Sequence, residues 1–172
     1  MTRGARSALK IEVLVASGRW KYDEKIRSIV RRAVARAAAT LSTTGTELAI
    51  VLTDDSAIRV LNRDWRGIDA ATNVLSFPAK SARGSRLGQP LGDIVLAYET
   101  IAREARDGGK PFAHHVAHLA VHGFLHLVGY DHERDEDAAT MERAESDILR
   151  QLAIPDPYRP PKKRPAKRSH KS

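Results

Sequence analysis

The chain has 172 residues, 42% hydrophobic and 29% charged, with a formal net charge of +8 and no cysteine; that length suits one globular domain with its own core and is short for two. Without cysteine there is neither a disulfide framework nor a thiolate metal site, so a transition metal would have to be held by His, Asp or Glu. No apolar run reaches the roughly 18 residues of a membrane span, and Glu12 interrupts the apolar stretch behind the basic start MTRGARSALKIEVLV, with no small-residue cleavage site following; the expected compartment is the cytoplasm.

Residues 9–15 (LKIEVLV) alternate as a strand does. Over 23–41, Ile26, Ile29, Val30, Ala33, Val34, Ala37 and Leu41 recur at helical spacing with arginines opposite, which predicts an amphipathic helix. ELAIVLT at 47–53 is a β-prone run fit for a buried strand. Asp54 or Asp55 then caps a helix over 55–64 that turns Ile58 and Leu61 inward. TNVLSF at 72–77 predicts a strand stopped by Pro78, residues 79–90 a flexible loop of Gly, Ser, Arg and Pro, and DIVLAY at 93–98 a last strand. Helices are expected over 98–107, 112–128 and 135–152, the last with Met141, Ala144, Ile148 and Leu152 on one face. Strands with helices between and after them give a single α+β or mixed α/β domain, without internal repeats.

From Arg159 onward come seven basic residues and no acid, in the Pro-rich stretch RPPKKRPAKRSHKS. This tail, 159–172, is expected to be disordered, serving either to attract RNA phosphates without sequence preference or only to keep the chain soluble. It holds seven of the eight net charges, which leaves +1 for the body 1–158.

Chemistry concentrates in the helix expected over 112–128. His114, His118, His122 and His126 stand four apart and form one stripe. Ligand nitrogens must come within about 2 Å of a zinc ion, whereas helix positions i and i+8 lie about 12 Å apart. Only one adjacent pair can chelate, and the third ligand must come from elsewhere. Gly129 stands where a left-handed residue reverses the chain after a helix, returning His132 towards His126 and His122. The pattern H-x-x-x-H-x-x-G-x-x-H therefore predicts a metal site of His122, His126 and His132, with a fourth position open as in catalytic sites. His115 and His118 are read as packing residues or supports for the ligands, and His114 as a surface residue.

A metallopeptidase with this spacing carries a Glu after the first histidine to move protons between water and the leaving amine. Here that position is Gly123, so a peptide substrate is not expected. A phosphodiester asks instead for charge stabilisation on phosphoryl oxygens. Zinc lowers the pKa of bound water to about 7 without a strong external base, and the 2′-OH of RNA is a second possible nucleophile. Arg59, Arg63 and Arg66 are the candidate cations. Arg66, read in a Gly-containing loop after Trp65, is the one suited to grip a phosphate bidentately.

Four motifs occur in order: N-x-x-W-R-G from Asn62, T-N-V-L-S-F-P from Thr72, L-G-D-I from Leu91, and V-H-G-x-L-H-L-x-G-Y-D-H-E from Val121. From about Leu48 to Tyr158 the chain resembles the YbeY family of bacterial single-strand-specific endoribonucleases. The resemblance implies a small α+β fold with a mixed sheet of about four strands flanked by helices. It implies one Zn2+ per chain on His122, His126 and His132, with Arg66 as the functional arginine. It also implies a role in 16S rRNA 3′-end maturation and ribosome biogenesis or quality control, with single-stranded rRNA and ribosomal subunits or ribosome-associated proteins as partners. The chain departs from the family in its turn Gly-Ile-Asp-Ala-Ala after Arg66 and in its basic tail, so the tail's role does not carry over.

Further candidates have structural alternatives. Asp93 either orients a ligand or water or caps a turn. Asp131 is a ligand-supporting acceptor, a base or a turn former. Asn73 and Ser76 contact substrate or only belong to the strand. The eight acids from Asp131 to Asp147 read as a solvated helix face, and Lys25, Arg27, Arg31, Arg32 and Arg36 as guides for the RNA. The competing functional reading is a ribosome-associated RNA-binding factor with a structural metal; a peptidase would need Glu99, Glu104 or Glu133 as a remote base. Imidazole ligands suit nickel as well as zinc.

Overall fold

A computed structural model describes residues 8–43, 45–80 and 89–159. The expected strands form one four-stranded sheet: β1 (Lys10–Val15), β2 (Glu47–Thr53), β3 (Val74–Pro78) and β4 (Gly92–Ala97), in the order β1-β2-β4-β3. β1, β2 and β4 run parallel, and β3 is an antiparallel edge strand. The third strand starts two residues later than expected and includes Pro78, which an edge strand tolerates because its missing N–H can face outward. Around the sheet lie α1 (Glu24–Thr40), α2 (Asp55–Arg66), α3 (Tyr98–Asp107), α4 (Phe112–Leu127) and α5 (Asp135–Gln151). The architecture is the α+β domain with a mixed sheet that was expected. Most of the expected loop 79–90, and all but the first residue of the tail 159–172, lie outside the described residues.

The helix starts are written in the sequence. Asp23 Oδ1 accepts the backbone N–H groups of Lys25 and Ile26 at the start of α1, and Asp54 Oδ1 accepts that of Ala57 at the start of α2. Asp54 is thus the cap, while Asp55 ties α2 to α3. Its carboxylate accepts from the backbone N–H and hydroxyl of Thr100, and Glu99 accepts the Asp55 N–H in return.

Strand alternation sorts the sheet into two faces. Val13, Leu48, Ile50, Leu52, Ile94 and Leu96 face α1 and α4, where they are buried with Val34, Ala120 and Phe124. Val51, Leu75, Val95 and Ala97 face the other way and are covered by Ile58 and Leu61 of α2. The rest of that second face opens as a cleft of about 830 Å³, bordered by Lys10, Glu12, Ala49, Trp65, Phe77 and Asp93. α4 is the central helix, touching α1, α3, α5, β3 and β4.

Candidate metal centre

α4 lies so close to the sheet that one of its positions must be glycine. A Cβ on Gly123 would stand 2.8 Å from Ile94 Cγ2, 3.1 Å from Ser76 Oγ and 3.2 Å from Val74 Cγ2. The residue missing from the peptidase pattern is therefore missing for lack of space: position 123 points into the sheet. Ser76 uses the close approach to donate its hydroxyl to the Gly123 carbonyl at 2.8 Å. One residue before that contact, His122 leaves its ring only partly covered, while Phe124 after it is buried in the core.

The end of α4 brings in the third histidine. Gly129 has φ +100°, and the N–H groups of Gly129 and Tyr130 return to the carbonyls of His126 and Leu125, a Schellman-type ending. Asp131 then accepts the backbone N–H groups of His132 and Glu133 at 2.6 and 3.2 Å, so its carboxylate shapes the turn that presents His132. Of the readings weighed for Asp131, the turn former matches this placement.

Hydrogen bonds fix the tautomers of the helical pair. His122 Nδ1 faces Glu145 Oε1 at 2.5 Å, and His126 Nδ1 faces the Tyr130 carbonyl at 3.0 Å. A carboxylate and a carbonyl only accept, so each ring carries its proton on Nδ1 and presents a bare Nε2. The two Nε2 atoms lie 3.1 Å apart. Two lone pairs that close repel, whereas nitrogens sharing a tetrahedral ion at about 2.0–2.1 Å stand about 3.3 Å from each other. His132 completes the group, with its ring 5.0 Å from His126 and 5.8 Å from His122; one nitrogen from each histidine lies within 4.8 Å of the others. The donor set fits a divalent metal ion. Burial first, and then the neighbouring His122, hold His126 below the ordinary imidazole pKa, which keeps it in the unprotonated form a metal needs.

Glu145 corrects the reading of the acidic run. Seven of those acids are exposed, but Glu145 is 0% exposed. It follows Met141 by four and precedes Ile148 by three, which puts it on the buried stripe of α5; a carboxylate on an apolar stripe is the signal that sequence reasoning passed over. Its oxygens accept from His122 Nδ1, from His118 Nε2 at 2.9 Å and from the Tyr158 hydroxyl. Burial alone would raise its pKa, but the hydrogen bonds from His118 and His122, the His118 charge and Tyr158 outweigh it and hold the carboxyl at about 2. Tyr158 is shifted upward by burial and by Glu145, so it stays a phenol that donates. His118 thereby shares the carboxylate that holds His122. His115 hydrogen-bonds Glu104 at 2.8 Å, and burial lowers its pKa against that partner's pull.

The other candidates fall in different places. Arg66 is the last residue of α2 rather than part of a loop, because Gly67 at φ +70° closes the helix directly after it. Of the three arginines on α2, Arg59 is held by both oxygens of Asp69 at 2.8 and 3.1 Å and Arg63 by Asp64 at 3.0 Å. Arg66 has no ion pair among the described residues and is exposed. Its neighbour Trp65 packs edge-on against Phe77 of the edge strand β3 at 5.7 Å, and Ser76, next to Phe77 on that strand, contacts α4. Asn73 donates to both oxygens of Glu104 at 3.2 and 3.1 Å and ties β3 to α3. Asp93 is not brought to the histidines: Ile94 faces α4, and Asp93 points to the opposite side, into the cleft beside Ala49 and Trp65. Glu99 and Glu104, weighed as remote bases, are occupied by Asp55 and by His115 and Asn73.

Comparison with known proteins agrees with the resemblance read from the motifs. Residues 14–153 match the family model described as Endoribonuclease YbeY. The chain is similar to proteins named Endoribonuclease YbeY from Rhodopseudomonas palustris strain BisB18, 53% identical over 86% of this chain and 90% of that one, and from Nitrobacter hamburgensis, 55% identical over 87% and 82%. Its fold is similar to the solution structure of TM1509 from Thermotoga maritima, with a TM-score of 0.55 and 22% identity over 90% of this chain and 99% of that one.

Proposed function

Because the chain belongs to the YbeY family of endoribonucleases, we propose that it is a zinc-dependent hydrolase of RNA phosphodiester bonds, acting on single-stranded regions of rRNA, including 16S rRNA 3′-end maturation, in the cytoplasm. The observation that carries the metal reading is the His122–His126 pair, with each Nδ1 bound to an acceptor and each bare Nε2 aimed at the other. His132 is the exposed third ligand and leaves the outer side of the site accessible. When bound, zinc supplies positive charge to phosphoryl oxygens and acidifies water in its open position.

The chain's own residues do the rest. Glu145 and the Tyr130 carbonyl hold the two helical imidazoles in the ligating tautomer. Arg66, free of acid partners among the described residues, grips the non-bridging oxygens of the scissile phosphate through its planar fork. Ser76 and Asn73 act by holding β3 against α4 and α3. Lys25, Arg31, Arg32 and Arg36 on the exposed side of α1 guide the strand; Arg27 is engaged by Glu24 at 2.6 Å. The lack of space for an acid at position 123 supports a phosphodiester over a peptide substrate. Ribosomal subunits or ribosome-associated proteins present the rRNA. Among the described residues no helix is long and apolar enough to cross a membrane.

The test is cleavage of an end-labelled single-stranded RNA by the wild type, His126→Ala and Arg66→Ala, with zinc content and circular dichroism measured on each. The expected result is a folded, zinc-poor and inactive His126→Ala and a folded, zinc-replete Arg66→Ala slowed about 10²–10³-fold, as for loss of one transition-state donor. Equal cleavage by all three would transfer the chain to the binding-factor reading.

A further inference from the structure

The segment after α5 returns to the metal centre. Two adjacent residues of α5 receive it. Ser146 donates its hydroxyl to Asp156 Oδ1 at 3.0 Å, and the same oxygen accepts the backbone N–H of Tyr158 at 3.0 Å, which closes a short turn over Pro157. Arg159 Nε neutralises the other Asp156 oxygen at 3.3 Å. The turn delivers the Tyr158 ring edge-on to His118 at 5.7 Å and its hydroxyl to Glu145, one residue before Ser146.

The geometry points to Tyr158 as a positioning residue for the metal centre, acting through Glu145 on His122; this rests on the three-histidine metal reading. Glu145 is an anion without exposure, and everything that stabilises it there is a donor on protein: His122 Nδ1 on one oxygen, His118 Nε2 and the Tyr158 hydroxyl on the other. The oxygen that accepts from His122 keeps its direction only while the other is pinned. Without the phenol, that second oxygen retains His118 alone, the carboxylate can rotate, and His122 loses the fixed acceptor that sets its tautomer and ring plane. Outer partners of this kind change metal affinity by roughly 10–100-fold when removed.

Tyr158→Phe isolates the hydroxyl, since the ring can still pack on His118. Zn2+ affinity is read by competition with a chromophoric chelator, without RNA, on the wild type, Tyr158→Phe, Glu145→Gln and the double variant. The proposal expects Tyr158→Phe to weaken zinc binding about tenfold with an unchanged far-ultraviolet spectrum. It also expects the hydroxyl to matter little once Glu145 is Gln, because the effect travels through that carboxylate. Val13→Ala, a core deletion in β1, serves as the control: lowering stability without lowering zinc affinity separates positioning from general loosening. If the Phe variant does not fold, Asp156→Ala, which releases the turn but keeps the phenol on the chain, is read in the same way. Wild-type zinc affinity in the folded Tyr158 or Asp156 variant, or an equal effect of Tyr158→Phe with and without Glu145, overturns the proposal. A wild type that binds no zinc overturns the metal reading with it, whereas RNA cleavage that fails while zinc binding follows this pattern leaves the proposal standing.

Discussion

At the scale of single residues, Gly123 and Glu145 show packing and charge constraining the site from opposite directions. Alanine in an open helix interior gains about 1 kcal/mol over glycine, but overpacking a close contact costs about 1–3 kcal/mol. With Ile94 Cγ2 at 2.8 Å and a strand behind it, the second effect wins. Gly123→Ala is expected to lose about 1–2 kcal/mol in urea unfolding, and Gly123→Glu to lose the fold before gaining any peptidase activity. Glu145 gives a pH signature. Its folded pKa of about 2 lies below the value of 4.5 for an unperturbed carboxyl, so the folded state favours the anion. That contribution is complete above about pH 4.5 and is lost as pH falls through about 2, on the order of 3 kcal/mol. Metal-free wild type is therefore expected to lose more stability between pH 5 and pH 2 than Glu145→Gln, measured by chemical unfolding at each pH; parallel curves would show that the carboxylate is not held as described.

At the scale of elements, the end of α4 is what converts a helix with two histidines into a three-histidine cluster. Gly129 at φ +100° sits where a side chain strains the backbone. Gly129→Ala should cost about 1–2 kcal/mol if the turn is kept, or lower zinc affinity about tenfold if the turn moves and takes His132 with it. Unfolding and chelator competition on one preparation distinguish the two, and a variant unchanged in both would remove the turn from the account. The same ending was legible beforehand, because glycine three residues after His126 and three before His132 has a mechanical meaning. The end of α2 was less legible. The sequence places the helix end at residue 64 and Arg66 in a loop, whereas the left-handed Gly67, with its return bond to Arg63, carries the helix through Arg66.

At the scale of the whole molecule, charge is unevenly distributed. Removing residues 160–172 takes away Lys162, Lys163, Arg164, Lys167, Arg168 and Lys171, six of the positive charges in a chain of net +8. Single strands release about 0.7 counterion per phosphate contacted, so the salt dependence of RNA binding should become shallower by up to about four in log–log slope. Full-length and shortened chains should converge near 1 M salt, where screening acts within about 3 Å. Identical slopes would mean that the tail serves solubility alone.

The sequence by itself determined the α+β class, the strands and helices in order, and the histidines and glycine of the candidate metal site, because each follows from local periodicity, capping or a fixed spacing along one helix. Tertiary structure decided what no spacing encodes. It placed Asp93 on the far face of the sheet, since alternation along β4 gives Ile94 to α4. It moved Glu145 from an apparently solvated run to the buried partner of His122 and His118, and it brought Tyr158 back to the same carboxylate. Those contacts to Glu145 join residues 13 to 27 positions apart. Their formation depends on how α5 and the segment after it pack on α4, and a buried carboxylate is stable only once all its donors have been assembled around it.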